Sequence, residues 1–229
     1  MLSGLLSPLV HLFFPHCCEV CGNDLPAGHE ILCFRCRQAL PLTRFHLYAG
    51  NPVENIFTGR VPIQQATATY YYSQSSALQQ LIHRFKYKQR KDIATYLGRQ
   101  TGYLLQESPW MTTIDAIVPV PLFPAREKKR GYNQAALLAD GIAQITGTPV
   151  YTRALLRQQY TDTQTRKGRT GRWANVATVF RAGNMPLQGK HLLLTDDVIT
   201  TGATTEACSH ALIAAGARVS ICCLAFAYH

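Results

Sequence analysis

The sequence predicts an α/β protein: a mostly parallel β-sheet with helices on both faces, preceded by a small four-cysteine zinc module. Three observations support this class. Apolar strand patterns alternate with amphipathic helix patterns from residue 66 to residue 227. Two Cys-x2-Cys pairs lie near the N-terminus. Hydrophobic residues make up 47 % of the 229 residues and charged residues 16 %, so a real core is possible and wholesale disorder is excluded.

The first fifteen residues are apolar but interrupted by Ser7, Pro8 and His11. They lack the basic segment and the cleavage site of a signal peptide. No apolar run in the chain approaches the ~20 residues needed to span a bilayer. We therefore interpret residues 1–15 as a short amphipathic helix or cap, and we expect a cytoplasmic protein.

Four cysteines are predicted to hold a structural zinc ion. They are Cys18, Cys21, Cys33 and Cys36. Four thiolates complete a tetrahedral shell, and each two-residue gap lets one turn present two sulfurs to the same ion. Metal ligation would stabilise a module that is too small to do so by apolar burial, and residues 1–45 are its predicted extent. Spacing alone leaves open a Cys17/Cys21 pair in place of Cys18/Cys21. A closed shell has no position for a substrate, so no chemistry is expected there.

The second predicted domain covers residues 46–229 and begins with a connector at 46–65 that is rich in glycine and proline. Alternation at 66–72 predicts a strand with one buried face. Ser75 or Ser76 caps the next predicted helix, whose apolar face contains Leu78, Leu81, Ile82 and Phe85. The later predicted elements are a helix with Ile93, Tyr96, Leu97 and Leu104 on one face, a buried strand at 114–122, a helix at 133–146 between Asn133 and Gly147, a buried strand at 191–195, a helix near 205–215 and a buried strand at 218–227.

The segment 192–205, LLLTDDVITTGATT, carries the predicted chemistry. A buried strand ending in two acids is followed by a short loop that opens a helix. Such a loop offers unpaired N–H groups and the positive end of a helix dipole to a phosphate. The acids are suited to vicinal sugar hydroxyls and to a divalent metal held through water. A ribose 5-phosphate fits both features. The predicted ligand-binding residues are Asp196, Asp197, Thr200, Thr201, Gly202, Ala203 and Thr204.

Several motifs together resemble known families. TDDVITTGAT resembles the 5-phosphoribosyl-1-pyrophosphate (PRPP) motif of type I phosphoribosyltransferases. The two cysteine pairs, FKYKQRKDIATYLG at 85–98, VPVPL…KRGYNQA at 118–135 and TQ…RxxN…F at 163–180 resemble the ComF family of competence proteins, in the same order along nearly the whole chain. This resemblance implies a zinc module followed by a phosphoribosyltransferase-like domain, and a role in bringing single-stranded DNA into the cytoplasm during natural transformation.

The resemblance also implies roles for individual residues. Asp196 and Asp197 would be catalytic in an active phosphoribosyltransferase that uses magnesium with PRPP. The strand end at 119–121 corresponds in place to a pyrophosphate loop, and the polar stretch 158–172 to a flexible loop that closes over PRPP. The cations assigned to these two loops are Arg126, Lys128, Lys129, Arg130, Arg169 and Arg172. For 126–130, a solubilising surface loop remains an equal alternative.

Positive charge is concentrated in three segments, 83–91, 126–130 and 153–172. Together they hold fifteen basic and two acidic residues, a net charge of +13, whereas the rest of the chain carries −3. Aromatic residues lie in or beside these segments, a mixture that favours single-stranded nucleic acid. The predicted nucleic-acid-binding residues are Lys86, Lys88, Arg90 and Lys91. A basic but merely solvated surface is the alternative.

Three functions are compatible with the sequence. The favoured one is a DNA-handling protein with a retained site for magnesium and PRPP. The second is an active phosphoribosyltransferase that joins a nucleobase or an amine to PRPP and releases pyrophosphate, although the sequence shows neither a base-recognition element nor a general base. The third is an adaptor whose zinc module docks a DNA-uptake helicase or another competence protein.

Overall fold

The computed structural model describes residues 16–25, 31–157 and 179–228. The predicted helix or cap at 1–15 and the predicted loop at 158–172, with Arg169 and Arg172, lie outside these residues. The described elements are α1 (Phe34–Gln38), α2 (Pro52–Phe57), β1 (Ala66–Tyr71), α3 (Ala77–Tyr87), α4 (Lys91–Gln106), β2 (Ala116–Pro119), α5 (Pro124–Arg130), α6 (Gln134–Thr146), β3 (Leu155–Arg157), β4 (Phe180–Ala182), β5 (His191–Ile199), α7 (Ala203–Ala214) and β6 (Arg218–Phe226). Among them, no helix is both long and apolar enough to cross a membrane.

The central sheet has four parallel strands in the order β1-β6-β5-β2. Residues opposite each other in its register include Val118 and Leu194 across β2 and β5, and Leu194 and Ile221 across β5 and β6. A separate antiparallel pair joins β3 to β4. The carboxyl ends of the four parallel strands therefore lie at one edge, where ligands bind in open α/β sheets.

Helices cover both faces of this sheet. Val118, Leu194 and Ile221 face a cluster that includes side chains of α2 and α7. Ile117 and Leu193, next to them along the strands, face a cluster that includes side chains of α4 and α6. Successive strand residues point to opposite faces, so strands covered on both sides are apolar throughout. The predicted fold class, a mostly parallel sheet with helices on both faces behind a four-cysteine group, is confirmed.

Two glycines bring α4 and α6 into backbone contact. A Cβ atom at Gly98 would lie 2.3 Å from the carbonyl oxygen of Leu138, and one at Gly141 would lie 2.3 Å from that of Thr95. A larger residue at either position would separate the helices. This close packing holds α4 and α6 together on one face of the sheet, opposite the face that α2 and α7 cover.

Helix caps match the sequence signals. The Ser76 hydroxyl accepts from the N–H of Gln79 at the start of α3, and the Asn133 side chain accepts from the N–H of Ala135 at the start of α6. Gly147, at φ 73°, ends α6. The apolar side chains of the cysteine region pack against α3, because Leu25 and Leu32 share a cluster with Leu78 and Leu81.

The structure corrects several predicted elements. The strand predicted at 191–195 continues to Ile199, so both acids lie within β5 and not after it. The connector at 46–65 contains α2, whose Val53 and Phe57 are buried. Strand β1 is buried on both faces because Thr67 and Thr69 are also covered.

Two smaller corrections concern single elements. The strand predicted at 114–122 is reduced to Ala116–Pro119. Leu105, not Leu104, is the fully buried residue near the end of α4, one position along the helix from the prediction.

Candidate functional site

The four predicted zinc ligands lie together. One sulfur from each of Cys18, Cys21, Cys33 and Cys36 lies within 4.8 Å of the others. The Cys21 and Cys33 sulfurs are 3.8 Å apart. A tetrahedral zinc ion with Zn–S bonds of about 2.3 Å separates its sulfurs by about 3.8 Å. The group therefore has the donor set and the spacing of a structural metal centre. Cys17 does not belong to it, because its sulfur is directed to Asp24 at 3.7 Å.

The cysteine environment favours one thiolate and disfavours another. Burial opposes ionisation of Cys18, but hydrogen bonds from the backbone N–H groups of Cys21, Cys33 and Val20 outweigh it and lower the pKa of Cys18 to about 6. The N–H of Cys33 lies 3.4 Å from the Cys18 sulfur. Burial and the neighbouring thiols raise the pKa of Cys36 to about 12. A cation at the centre of the group would offset this second effect.

The turn between β5 and α7 forms the predicted phosphate loop. Gly202 is the N-cap of α7 at φ 74°, and the first helical hydrogen bond runs from the Glu206 N–H to the Gly202 carbonyl. The N–H groups of Ala203, Thr204 and the residue after it therefore have no acceptor in the described part of the chain. Residues 198–205 line a hollow of about 60 Å³. Backbone donors and threonine hydroxyls thus surround a space of roughly the size of one phosphate group.

Arg60 holds this loop in place, and sequence reasoning missed it. Its Nη1 donates to the carbonyls of Ile56 and Thr201, each at 3.0 Å, and its Nη2 pairs with Glu206 in the first turn of α7. Arg60 follows α2 in a segment interpreted as a connector. No local pattern marks it, because its partners on the loop and on α7 are 141 and 146 positions away.

The two acids face different partners. Asp197 is buried, and its Oδ2 lies 2.8 Å from Nζ of Lys86 on α3. Asp196 accepts a hydrogen bond from the Asp197 N–H at 2.8 Å. Burial and the neighbouring Asp197 charge raise the pKa of Asp196 to about 7, although Lys86 and Arg157 act in the opposite sense. The ammonium of Lys86 thus faces the charge of Asp197, whereas the pKa of Asp196 is raised.

An open groove of about 1030 Å³ adjoins the loop. It runs between α3 and the carboxyl ends of β5 and β6. Thr200 lines both this groove and the small hollow of the phosphate loop. The groove is lined by Tyr72, Gln79, Gln80, Ile82, His83, Arg84, Lys86, Tyr87, Lys88, Arg90, Val198, Thr200 and Ala227. Its α3 wall includes the cations Arg84 and Lys86 and the ring of Tyr87.

The four predicted nucleic-acid-binding cations have different surroundings. Lys88 is exposed and lines the groove. Lys86 pairs with Asp197, so the predicted nucleic-acid set and the predicted PRPP set meet in one contact. Arg90 pairs with Glu19 and Asp92, and Lys91 lies 5.1 Å above the ring of Tyr132.

The cations predicted for a pyrophosphate loop lie on a helix. Residues 124–130 form α5, a single short helix that ends at Gly131. Arg126, Lys129 and Arg130 line a second hollow of about 410 Å³, whereas Lys128 does not. We call this space the basic hollow, and it is lined by Lys86, Tyr87, Gln89, Arg126, Lys129 and Arg130. It meets the groove at Lys86 and Tyr87, and none of the described residues that line it is an acid.

Arg157, at the end of β3, is a further cation that the predicted sites left out. Its guanidinium lies 5.5 Å from the ring of Phe123 and 5.1 Å from that of Phe180. Burial lowers the pKa of Arg157, and the Asp196 charge partly offsets this effect. The interaction with Asp196 indicates that Arg157 contributes positive potential to the acid pair.

No protein-family model matches the chain. The DNA utilization protein YhgH of Escherichia coli (strain K12) is 30 % identical over 229 residues, which cover 93 % of this chain and 98 % of that protein. This chain belongs to the ComF family of competence proteins. Two further ComF-type relatives are 25 % identical: Competence protein F of Haemophilus influenzae, covering 87 % of this chain and 92 % of its own length, and Competence protein ComFC of Bacillus subtilis, covering 84 % and 82 %.

Solved structures that resemble this ComF-family chain are phosphoribosyltransferases. A glutamine PRPP amidotransferase from B. subtilis aligns with 61 % of this chain and 30 % of its own, at 23 % identity and a TM-score of 0.44. Adenine phosphoribosyltransferase from Leishmania tarentolae aligns with 79 % of this chain and 89 % of its own, at 10 % identity and a TM-score of 0.39.

Proposed function

We propose that this protein handles single-stranded DNA during natural transformation and retains a binding site for magnesium and PRPP at residues 196–204. The observation that carries the proposal is the continuity of two spaces at Thr200, which lines both the phosphate-loop hollow and the groove. The DNA would lie along the groove, and PRPP would lie at the loop. Names of the relatives, "DNA utilization" and "Competence", support the same role.

The proposed PRPP site has one end for the 5-phosphate and another for the ribose hydroxyls. The N–H groups at the start of α7 and the hydroxyls of Thr200, Thr201 and Thr204 would bind the 5-phosphate. Asp196 and Asp197 would accept hydrogen bonds from the ribose hydroxyls. Magnesium, when bound with PRPP, would neutralise the charge of the pyrophosphate group. Arg126, Lys129 and Arg130 line the basic hollow together with Lys86, and they would add positive potential for that group.

The DNA site is argued from the lining of the groove. Lys88 would contact phosphates directly, and Arg84 and Arg90, which pair with Glu19, would add positive potential along the groove. Tyr72 and Tyr87 offer rings to unpaired bases. Tyr87 is 64 % exposed, and its ring lies 4.9 Å from the ring of His83 and 5.6 Å from the guanidinium of Arg130. In this role the protein would act in the cytoplasm beside a DNA-uptake helicase, and the cysteine group would hold a structural zinc ion.

Binding of labelled oligothymidylate, measured by anisotropy at several salt concentrations, tests the DNA part. Single strands should compete better than duplex, with a log–log salt slope of about −0.7 per phosphate neutralised. Changing Lys86, Lys88, Arg90 and Lys91 to alanine should flatten that slope. Lys88→Ala alone should weaken binding more than Arg218→Ala, which removes an exposed cation at the opposite ends of the strands. Equal effects of the two single changes would contradict the groove as the site.

Calorimetry with magnesium and PRPP tests the second part. Asp196→Asn combined with Asp197→Asn removes two charged acceptors. Charged hydrogen bonds contribute about 1.5–3 kcal/mol each, so the affinity should fall on the order of a hundredfold or more. An unchanged affinity would refute the assignment of the acids.

A second candidate function is an active phosphoribosyltransferase. A hollow of about 470 Å³ at the carboxyl end of β2 favours it, because its lining combines Leu122, Tyr132 and Leu156 with the cation of Arg157. A flat base could occupy such a space. Incubation with PRPP, magnesium and a panel of bases and amines, followed by measurement of pyrophosphate, discriminates the two functions. Release that depends on an acceptor and on Asp196 would favour the enzyme.

A further inference from the structure

Lys86 lies where the acid pair, the groove and the basic hollow of the proposed site meet. Its ammonium is 2.8 Å from Oδ2 of Asp197, with side-chain exposures of 20 % and 8 %. The same side chain lines the groove and the basic hollow. No other side chain named in the linings of these two spaces pairs with an acid of β5 in the described part of the chain.

The ammonium of Lys86 contacts either Asp197 or a phosphate, but not both at the same time. When it contacts Asp197, it occupies an oxygen that a sugar hydroxyl or a hydrated cation would use. When a phosphate in the groove or the basic hollow attracts it, that oxygen becomes accessible. A charge as deeply buried as Asp197 requires a partner, so withdrawal of the lysine is favourable only if a ligand of the acid pair replaces it.

We propose that Lys86 couples the two ligands, so that single-stranded DNA and magnesium-bound PRPP each strengthen the binding of the other. The inference rests on the proposed function and adds its regulation. Ligand hydroxyls at Asp197 release the ammonium toward a DNA phosphate, and a DNA phosphate withdraws it from Asp197. Thermodynamic linkage makes the two effects equal in size.

The experiment measures the affinity for a labelled 20-residue oligothymidylate with and without saturating magnesium and PRPP. In the unmodified protein, PRPP should strengthen DNA binding by about fivefold or more, within the usual range for linked sites. In Lys86→Met, which keeps an unbranched apolar side chain and removes the charge, the ratio of the two affinities should fall to about one. The ratio should persist in Lys88→Met, the matched control, because Lys88 lines the same groove without contacting the acids.

A second variant predicts an effect that loss of structure cannot produce. Asp197→Asn leaves Lys86 in place but removes its partner charge. Without PRPP, this variant should bind the oligonucleotide more tightly than the unmodified protein. Thermal unfolding of each variant, followed by circular dichroism, establishes that it is folded. Weaker or equal DNA binding by folded Asp197→Asn overturns the coupling.

The outcomes separate this inference from the proposed function. If the unmodified protein binds neither ligand, both are overturned. If it binds both but PRPP leaves the DNA affinity unchanged or weakens it, the two sites exist and only the coupling is overturned. If PRPP strengthens DNA binding by the same factor in Lys86→Met as in the unmodified protein, only the role of Lys86 is overturned.

Discussion

The four-cysteine group and the β5–α7 loop are both built on short motifs, yet one is closed and the other open. In the cysteine group, four sulfurs face one another within 4.8 Å and complete a tetrahedral donor set. In the loop, the N–H groups at the start of α7 point outward without an acceptor in the described residues. The unpaired N–H groups of the loop are therefore available to a ligand, whereas the sulfurs of the cysteine group are directed to one another.

The two regions are also supported differently. Glu19, between the first two cysteines, pairs with Arg84 and Arg90, so the cysteine region is tied to the groove wall by ion pairs. The loop depends on the sheet and on Arg60, which donates to the Thr201 carbonyl and pairs with Glu206. Removal of the metal should therefore destabilise the cysteine region, and altered backbone packing should destabilise the β5–α7 loop.

The largest expected effect is on the cysteine group. Cys33→Ser should abolish binding of about one zinc ion per chain and unfold the residues around it, because metal ligation provides most of the stability of such a module. Elemental analysis and thermal unfolding measure this change. Cys17→Ser is the matched control and should retain the zinc, since its sulfur is directed to Asp24. Zinc retained by Cys33→Ser, or lost from Cys17→Ser, would contradict the closed set.

The next effect concerns the loop and compares two glycines with the same backbone conformation. Gly202 and Gly147 have φ values of 74° and 73°, so alanine at either position incurs backbone strain of about 1 kcal/mol. At Gly202 the added Cβ would also lie 2.6 Å from Cγ2 of Ile56, whereas at Gly147 nothing lies within 4 Å. Overpacking adds about 1–3 kcal/mol.

Gly202→Ala should therefore lower the free energy of unfolding more than Gly147→Ala, as measured by urea denaturation. It should also weaken PRPP binding, since α2 would push the loop from beneath. Gly147→Ala should leave that affinity unchanged. Equal losses of stability in the two variants would show that Ile56 yields to the added methyl group and does not support the loop.

Three signals confined to a few consecutive residues predict their elements correctly, and a fourth does not. The caps Ser76 and Asn133 and the stop at Gly147 depend on neighbours within one turn. The start of α2 carried the same kind of signal, Asn51 followed by Pro52, and was interpreted as part of a connector. Asn51 in fact accepts from the N–H groups of two residues in the first turn of α2.

Features that depend on distant partners were not predictable in this way. Strand β5 passes beyond its acids because β6 continues beside it, pairing Asp196 with Cys223 and Val198 with Ala225. No pattern within 191–199 contains that information. The contact of Lys86 with Asp197 is equally non-local, and for this reason the predicted DNA and PRPP residues were treated as separate sets.

The smallest expected effect is a pH dependence confined to the open site. Because the pKa of Asp196 is raised from 3.8 to about 7, the folded chain holds this proton more tightly than the unfolded chain. This group therefore lowers the free energy of unfolding as pH rises from about 4 to about 7. The ribose hydroxyls of PRPP need the ionised carboxylate as their acceptor. The PRPP affinity should therefore rise where the free energy of unfolding falls, by about fourfold between pH 6.5 and 8.

Calorimetry across this pH range, with zinc content measured in the same samples, provides the test. In Asp196→Asn, only the dependence due to the phosphates of PRPP should remain. In Asp197→Asn, loss of the neighbouring charge should lower the pKa of Asp196 and move the rise to lower pH. The zinc content should stay constant while the PRPP affinity changes, because the four-cysteine group takes no part in PRPP binding. If the PRPP affinity changes equally with pH in the unmodified protein and in Asp196→Asn, the pH dependence comes from PRPP itself. The acid pair would then have a structural role, as the cysteine group does.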